Sequence, residues 1–216
     1  ITESHPLGNP HSAYAQAKQA CEEYLMERHD ARRFPVTVLR PSHTYSKSWI
    51  PNLIKSGGYG FADRLEKGKP VFLVDQGRAL WTLTTTEDFA RGFAGLLGNP
   101  AALGEVFHLT SDEALSWRDI YAQVAEALGV SEPVIEYLPL DTVCARAPEM
   151  VPKLKGDKAD NAVFDNAKIK AAVPGFACRM SLRDGLARSV AWFREAPHER
   201  CQPDPEIDAI CERALG

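Results

Sequence analysis

The chain has 216 residues, of which 44% are apolar and 25% are charged, and this balance allows a hydrophobic core. The formal net charge of -4 argues against a broad nucleic-acid surface, because such surfaces neutralise phosphates with Lys and Arg. No apolar run approaches the roughly 18 residues that a membrane-spanning helix needs. The totals therefore predict one globular domain, or one domain with a small annex.

The first residues have the composition of a loop. The chain starts at Ile1 and lacks the charged and then apolar pattern of a secretory signal. We therefore expect these residues to be the C-terminal part of a longer protein.

The cysteines predict a reducing location. They are five in number, widely spaced and without a C-x-x-C pair, which favours free thiols and the cytoplasm. His198, Cys201 and Cys211 lack the tight spacing and the fourth ligand of a zinc site, so we predict no metal.

The first helix is predicted to begin after Ser12, a favourable N-cap, and to end near His29. Its apolar positions recur at helical spacing and are predicted to face the core: Ala13, Ala17, Cys21, Tyr24 and Leu25. Residues 36–39 follow as a near-continuous apolar strand that closes on Arg40 and Pro41, as in a buried parallel strand. A helix followed by such a strand is half of a βαβ unit, which predicts an α/β fold.

Further strands and helices alternate along the chain. Short strands are predicted at 71–74, 80–83 and 106–109, and weaker ones at 134–135 and 163–164. Thr86, Ser116 and Ser181 are the predicted N-caps of three helices, each with a carboxylate in its first turn. The helix after Thr86 is predicted to bury four apolar residues: Phe89, Phe93, Leu96 and Leu97.

A mildly basic stretch precedes the last of these helices. It contains five lysines interrupted by three aspartates: Lys153, Lys155, Lys158, Lys168 and Lys170, with Asp157, Asp160 and Asp165. Mixed charges of this kind are typical of a solvated face, and we predict one here.

The first helix also carries a candidate catalytic pair. Tyr14 and Lys18 are four residues apart and therefore share one helix face. A phenol is a weak acid at neutral pH, and a neighbouring ammonium favours its ionised form, which a proton-shuttling tyrosine needs. The spacing alone is also compatible with an ordinary amphipathic helix.

The order of motifs around this pair is more specific than the pair itself. It begins with Thr2-Glu3, Pro6-Leu7, Asn9-Pro10, Tyr14-Ala-Gln-Ala-Lys18, Val38-Leu39-Arg40-Pro41 and Tyr45. It continues with Gly-Lys-Pro before Val71, Glu87-Asp88, residues 105–109, Ser-Trp-Arg before Ala127-Leu128-Gly129, and residues 164–168. This order resembles the extended short-chain dehydrogenase/reductases, the NAD-dependent epimerase/dehydratase-like proteins, over most of residues 1 to about 195.

The resemblance implies the C-terminal part of a Rossmann-type doubly wound parallel sheet with a smaller mixed α/β substrate-binding domain. Residues 1–45 would be the last helix and strand of the dinucleotide-binding domain, to which residues 85–110 return. Residues 46–84 and 111–216 would form the substrate domain and the tail.

The resemblance also implies roles for individual residues. Tyr14 would be the catalytic acid/base, and Lys18 would bind the nicotinamide ribose of NAD or NADP. Pro41, Ser42 and His43 would lie against the nicotinamide end of that cofactor. Family members often form homodimers through the helix that carries Tyr14, so we expect that contact here.

Two features depart from the family pattern. No glycine-rich phosphate-binding loop of the form G-x-x-G-x-x-G or G-x-G-x-x-G occurs, and the Gly57-Gly58-Tyr59-Gly60 stretch is better interpreted as a hinge loop. The Ser/Thr partner of the catalytic tyrosine would lie upstream of Ile1. We therefore expect these 216 residues alone to be inactive and the full-length protein to be an enzyme.

The substrate side departs as well. Many members that act on nucleotide sugars have an arginine before the Asp-containing helix start, where Trp81 stands here. Arg78 is close but out of register, which disfavours a diphosphate substrate. Trp81 is predicted to pack in the core or to stack on a substrate ring. Arg40 is predicted to pair with a carboxylate.

Two functions remain open from the sequence. The first is NAD(P)-dependent oxidoreduction, epimerisation or dehydration of a hydroxylated, sugar-like small molecule, with Tyr14 assisted by Lys18. The second is a non-catalytic member of the superfamily that senses NAD(P) or binds RNA. The acidic balance disfavours RNA, and the Tyr14–Lys18 pair favours catalysis.

Overall fold

A computed structural model describes residues 1–31 and 34–216 of the chain. The strands are β1 (Val38–Pro41), β2 (His43–Tyr45), β3 (Val71–Val74), β4 (Leu80–Thr85), β5 (Val106–Leu109), β6 (Ala114–Ser116) and β7 (Ile135–Leu138). The first five α-helices are α1 (Ala13–Asp30), α2 (Gly60–Glu66), α3 (Thr86–Leu96), α4 (Trp117–Leu128) and α5 (Leu140–Arg146). They are followed by α6 (Val151–Lys153), α7 (Ala167–Ala172), α8 (Leu182–Glu195), α9 (Pro197–Arg200) and α10 (Pro205–Leu215). The predicted α/β class is confirmed.

The strands form three small sheets in the described part of the chain. Parallel pairing joins β1 to β5, β2 to β4 and β3 to β7, whereas β6 lies antiparallel to β4. Parallel strands require long crossovers, and helices supply them here. The carboxyl ends of β1 and β5 therefore lie at one edge, since Pro41 is paired with Leu109.

The chain passes from the first sheet to the second within one residue. Ser42 separates β1 from β2, and its Oγ lies 2.8 Å from Oγ1 of Thr84 in β4. The Ser111 amide, just beyond β5, donates to the same Thr84 oxygen at 2.8 Å. All three residues are buried. This network fixes the direction in which the residues on either side of Ser42 point.

Two hydrophobic clusters stabilise the described residues. The larger one surrounds β3, α2, α4, α8 and α10, and its most buried rings are Trp117, Tyr121, Phe61 and Phe72. The smaller one lies between β5, α3 and α7 around Phe107, Leu109 and Ile169. Tyr45 is buried in the larger cluster against Gly185, where a side chain on residue 185 would collide with its hydroxyl.

The first helix has the predicted bounds but not the predicted burial. Ser12 accepts a hydrogen bond from the Ala15 amide and caps α1. None of the α1 residues is buried, and Cys21, predicted to lie in the core, is exposed. Cys21 and Leu25 instead line an open groove between α1 and β1. Apolar spacing identifies the apolar face of a helix, but it does not determine whether another segment packs against that face. Homodimerisation through α1 stays a prediction.

The third helix begins one residue earlier than predicted, at Thr86 itself. Thr85, rather than Thr86, accepts the Asp88 amide and is the N-cap. The buried positions of α3 are Asp88, Gly92 and Leu96. Phe93 and Leu97, predicted to be buried, are exposed and line an apolar groove of about 400 Å³ between α3 and β1. Gly92 packs closely on Leu109 of β5, and Leu96 lies in the same hydrophobic cluster as Leu109.

Other predicted elements have mixed outcomes. The helices after Ser116 and Ser181 are confirmed, and Ser116 forms a capping box with Asp119. Residues 163–164 do not form a strand, because the pairing with β4 is a single bridge between Trp81 and Ala162. The β2 and β6 strands, three residues each, are too short to produce a detectable alternation.

The predicted solvated face at residues 153–158 is wrong. Leu154 and Lys158 are buried, and the Lys153 and Lys158 ammonium groups donate to the carbonyl oxygens of Ile54 and Asn52. A π-helical turn, Leu154–Lys158, brings both lysines against the core. Since the stems of long lysines are apolar, their charge alone did not show that they would be exposed.

Two features are absent from residues 1–31 and 34–216. None of the helices there combines the length and the apolar composition that crossing a membrane requires. No group of three or more His, Cys, Asp or Glu side chains in this part of the chain is arranged to hold a metal ion.

Replacement of Asp88 by asparagine is expected to lower the free energy of unfolding by about 2 kcal/mol. The buried Asp88 carboxylate accepts the amides of Arg179 and Met180 at 2.9 and 3.0 Å and also contacts Arg91. Asparagine keeps one acceptor oxygen and turns an N–H donor toward another donor. Urea unfolding followed by far-UV circular dichroism measures the change.

Asp141→Asn is the matched control, because Asp141 is exposed and pairs with Lys155 at the surface. Its effect is expected within about 0.5 kcal/mol. Equal midpoints for the two variants contradict the anchoring role of Asp88.

Candidate active site

Tyr14 and Lys18 share one exposed face of α1. Tyr14 is the second residue of the helix and 73% exposed. The Lys18 Nζ lies 5.8 Å from the centroid of the Tyr14 ring. The predicted placement of both residues on one helix face is therefore confirmed.

An ion pair attaches this helix to β1. The Arg40 guanidinium donates to both carboxylate oxygens of Glu22 in α1 and also to the Glu3 carbonyl at 2.9 Å. Both partners are largely shielded from solvent, and a bidentate pair restrains orientation as well as distance. The predicted pairing of Arg40 with a carboxylate is confirmed. It sets the position of Tyr14 relative to the end of β1.

A cavity of about 370 Å³ lies in front of the Tyr14 ring. Its lining combines α1, the β1–β2 passage, β4 and the turn before α7: Tyr14, Pro41, Ser42, His43, Thr44, Trp81, Asp157 and Phe164. Five residues singled out in the sequence meet here: Tyr14, Pro41, Ser42, His43 and Trp81. The volume lies within the range of small-molecule sites, about 300–1,000 Å³.

Lys18 lies beside this cavity. Together with Tyr14 and Pro41 it lines the groove between α1 and β1, which has a volume of about 430 Å³. Because Tyr14 and Pro41 line both spaces, the groove and the cavity adjoin at the end of β1.

Arg78 lies elsewhere. It lines a separate cavity of about 350 Å³ with Asp75, Trp117 and Lys158, and it is absent from the described lining of the Tyr14 cavity. The structure therefore does not bring Arg78 together with the other candidates. The turn at 75–77 displaces it: Gln76 has a positive φ of 67° there.

His43 is held in an aromatic environment. Its ring makes edge contacts with Trp49 and Trp81, with centroid separations of 4.5 and 5.3 Å. Burial, aided by the Lys158 ammonium, lowers the pKa of His43 to about 3. His43 is therefore a neutral imidazole at physiological pH. Its Nε2 is buried without a hydrogen-bond partner among the described residues, and the residue lines the cavity.

Trp81 combines the two predicted roles of packing and site lining. It is buried, its Nε1 donates to the Asp160 carbonyl at 3.1 Å, and its ring lies 5.3 Å from that of Trp117. These contacts fix the indole plane. The remaining part of Trp81 lines the Tyr14 cavity.

Asp157 is a cavity residue that the sequence did not identify. The side-chain amide of Asn9 donates to the Gly156 carbonyl. A Cβ at residue 156 would lie 3.3 Å from the Ser12 side chain. This close packing brings the Leu154–Lys158 turn to the N-terminus of α1. The spacing Lys-Gly-Asp-Lys gave no sign of it, because the contact joins segments about 147 residues apart.

The carboxylate and ammonium of this turn are both shifted toward neutrality. Asp157 is accessible to solvent yet surrounded by protein on most sides, and this desolvation raises its pKa to about 6 against the opposing effect of Lys158. Burial lowers the pKa of Lys158 to about 8, although Asp157 opposes that shift. Perturbed groups of this kind concentrate at functional sites.

A comparison with protein families decides the identity of the scaffold. The sequence profile of the NAD dependent epimerase/dehydratase family matches residues 1–109. The chain belongs to this family. The matched region contains α1, the β1–β2 passage and β4, which together carry six of the seven residues that the sequence predicted for the site.

Curated relatives of this epimerase/dehydratase-family chain include sugar-modifying enzymes. A dTDP-glucose 4,6-dehydratase of Actinoplanes sp. is 28% identical over 192 residues, 89% of this chain and 54% of the relative. The 2'-dehydrokanamycin reductase of Streptomyces kanamyceticus is 42% identical over 62 residues, 29% of this chain and 18% of the relative. The chain thus spans about half the length of the dehydratase.

Solved structures show the same fold. DesIV, a dTDP-glucose 4,6-dehydratase from Streptomyces venezuelae with NAD and TYD bound, superposes with a TM-score of 0.69 at 24% identity, covering 95% of this chain and 57% of that one. Pal from Bacillus thuringiensis has a TM-score of 0.68 at 21% identity over 90% of this chain and 56% of that one. The epimerase/dehydratase-family chain therefore has the Rossmann-type α/β fold of these proteins.

Removal of the Lys158 charge is expected to raise the pKa of Asp157 above about 6, because Lys158 is the group that opposes the shift. Lys158→Met keeps the apolar stem of the side chain. The side-chain carboxyl ¹³C shift of Asp157, followed by NMR between pH 4 and pH 8, reports the midpoint.

Lys155→Met is the control for this titration. Lys155 lies in the same turn but pairs with Asp141, and it is not among the groups that shift Asp157. An unchanged midpoint in Lys158→Met, or an equal change in both variants, contradicts the assigned coupling.

Proposed function

We propose that this chain forms the substrate-facing part of an NAD-dependent enzyme that oxidises, reduces, epimerises or dehydrates a hydroxylated, sugar-like molecule. One observation carries the proposal: Tyr14, Ser42 and His43 line a single ligand-sized cavity, and Lys18 lies in the groove that adjoins it. The proposal applies to the full-length gene product that contains these residues.

The residues present fit one end of the cofactor. Lys18 and Tyr14 offer an ammonium and a hydroxyl at the groove, and such groups hydrogen-bond the hydroxyls of a ribose. In the described residues, the direct junctions β4–α3 and β6–α4 contain no glycine, so they do not resemble a pyrophosphate cradle. We therefore assign only the nicotinamide-ribose end to this chain.

Each site residue has a distinct chemical task in the proposal. NAD, when bound, supplies the hydride chemistry. Tyr14 takes the proton of the reacting substrate hydroxyl as its phenolate and, in the reverse direction, donates its own proton as the phenol. The Lys18 ammonium, on the same helix face, binds the ribose hydroxyls of the cofactor beside Tyr14. His43, neutral and unpartnered at Nε2, hydrogen-bonds and orients a substrate oxygen without adding charge.

The predicted division of the chain has a simple counterpart in this proposal. Residues 1–45 and 85–110 contain α1, β1, α3 and β5, and we assign them to the cofactor side. Residues 46–84 and 111–216 supply Trp81, Asp157 and Phe164 to the cavity, and we assign them to the substrate side. The substrate therefore lies where the two parts meet.

Tyr14→Phe in the full-length gene product is expected to lower NAD-linked turnover by about 10²- to 10⁴-fold, because it removes the proton-transferring hydroxyl and leaves the ring. Cofactor binding is expected to persist. Absorbance of the reduced nicotinamide measures turnover, and calorimetric titration with NAD measures binding.

Tyr24→Phe is the matched control. Tyr24 is an exposed tyrosine of the same helix and lies outside the described lining of the cavity and the groove, so its variant is expected to retain full turnover.

Lys18→Met is expected to weaken both NAD binding and turnover. A protein that binds NAD or RNA and shows no turnover with any polyol identifies the non-catalytic alternative.

A further inference from the structure

The charged side chain that lines the Tyr14 cavity is a carboxylate. Asp157 is its one carboxylate, and no Lys or Arg side chain is among its described lining residues. A phosphate or diphosphate needs a cation or a helix N-terminus beside it. No side-chain cation lines the described part of the cavity, and the N-terminus of α1, which Tyr14 brings to it, is capped by the Ser12 side chain. The lining therefore offers little to an anionic substrate.

Aromatic rings form much of the remaining wall. Tyr14, Trp81 and Phe164 line the cavity with His43. Trp81 and His43 are fixed by packing, and Phe164 lies 5.1 Å from the His108 ring. Aromatic faces attract cations and tolerate the apolar faces of sugar rings, and Trp is the strongest of them. The aromatic walls and the Asp157 carboxylate thus both favour a cationic ligand.

His43 adds a second, independent sign that the cavity is built for a ligand. Its Nε2 is buried and unpartnered among the described residues, and an unpaired buried polar atom is costly unless a ligand satisfies it. Because His43 stays neutral, it recognises a hydroxyl without repelling a positive charge.

We propose that the substrate is a polyhydroxylated ring that carries a protonated amino group, such as an amino sugar or an aminocyclitol. Asp157 binds the ammonium group, Trp81 and Phe164 cover the ring, and His43 holds a hydroxyl. This inference rests on the proposed function, since it places the substrate in the cavity of Tyr14. Asp157 is thereby a specificity-determining residue.

Lys158 offsets part of the Asp157 charge, but it is not among the described lining residues of the Tyr14 cavity. Lys158 is buried and donates to the Asn52 carbonyl. It lies beside Trp117 and lines the separate cavity that contains Arg78. Lys18 faces the α1–β1 groove, and Arg40 is paired with Glu22. Tyr14, His43, Lys18 and Lys158 are the other titratable groups around the cavity. Asp157 is the carboxylate among the described lining residues.

The test uses three probes that share one pyranose ring and differ in charge: D-glucosamine, D-glucose and D-glucose 6-phosphate. Each is titrated by NMR into the full-length gene product in the presence of NAD at pH 7. We expect D-glucosamine to bind about tenfold more tightly than D-glucose, and D-glucose 6-phosphate to bind more weakly than either.

Asp157→Asn is expected to abolish the preference for D-glucosamine, because it keeps the shape and removes the charge. Asp160→Asn removes one charge three residues away, from an exposed side chain outside this cavity, and is expected to keep the preference. The preference is present while Asp157 is ionised and is expected to be lost as the pH falls through about 6.

Binding and turnover fail separately in this design. A charge preference that survives Asp157→Asn, equal binding of D-glucosamine and D-glucose, or no binding of D-glucosamine overturns the assignment of the substrate class. A preference that depends on Asp157 in a protein with no turnover overturns the proposed reaction and leaves the charge assignment standing.

Discussion

The candidate site depends on the passage of the chain from one sheet to the next at Ser42. The Ser42 and Thr84 hydroxyls and the Ser111 amide form a buried network at this point. Buried polar groups are costly unless all are paired, so the network has few alternative arrangements. It turns Pro41 and His43, on either side of Ser42, toward one cavity.

Tyr14 reaches that cavity through polar attachment rather than burial. None of the residues of α1 is buried, and the Arg40–Glu22 pair holds the helix to β1. Both sides of β1 border open grooves, one along α1 and one along α3. The position of Tyr14 is therefore sensitive to a few directed contacts, whereas the walls formed by Trp81 belong to the main hydrophobic core.

The electrostatics of the cavity follow from its depth. The same desolvation lowers the pKa of His43 and raises that of Asp157, because burial disfavours charge of either sign. At neutral pH the result is a neutral imidazole beside a carboxylate that is only moderately acidic. Such a pair suits a ligand that has both hydroxyl groups and a positive charge, because the imidazole can bind a hydroxyl and the carboxylate can bind the charge.

The sequence by itself determined the α/β class, the family and most of the site. Local signals were sufficient for α1, α4 and α8, because Ser12, Ser116 and Ser181 are capping residues next to their helices. The Tyr14–Lys18 pair and the Arg40-Pro41-Ser42-His43 run were also found, since each lies within a few consecutive residues.

Only the tertiary structure decided which residues from distant parts of the chain line the Tyr14 cavity. Asp157 belonged to an apparently solvated stretch, and its place opposite α1 depends on the contact of Gly156 with Asn9 and Ser12. Arg78, close in sequence to Trp81, lines another cavity. The exposure of Cys21 and Phe93 was likewise hidden. Periodicity reports which face of an element is apolar, but the cover of that face, and the charge near a site, are set by segments far away in the sequence.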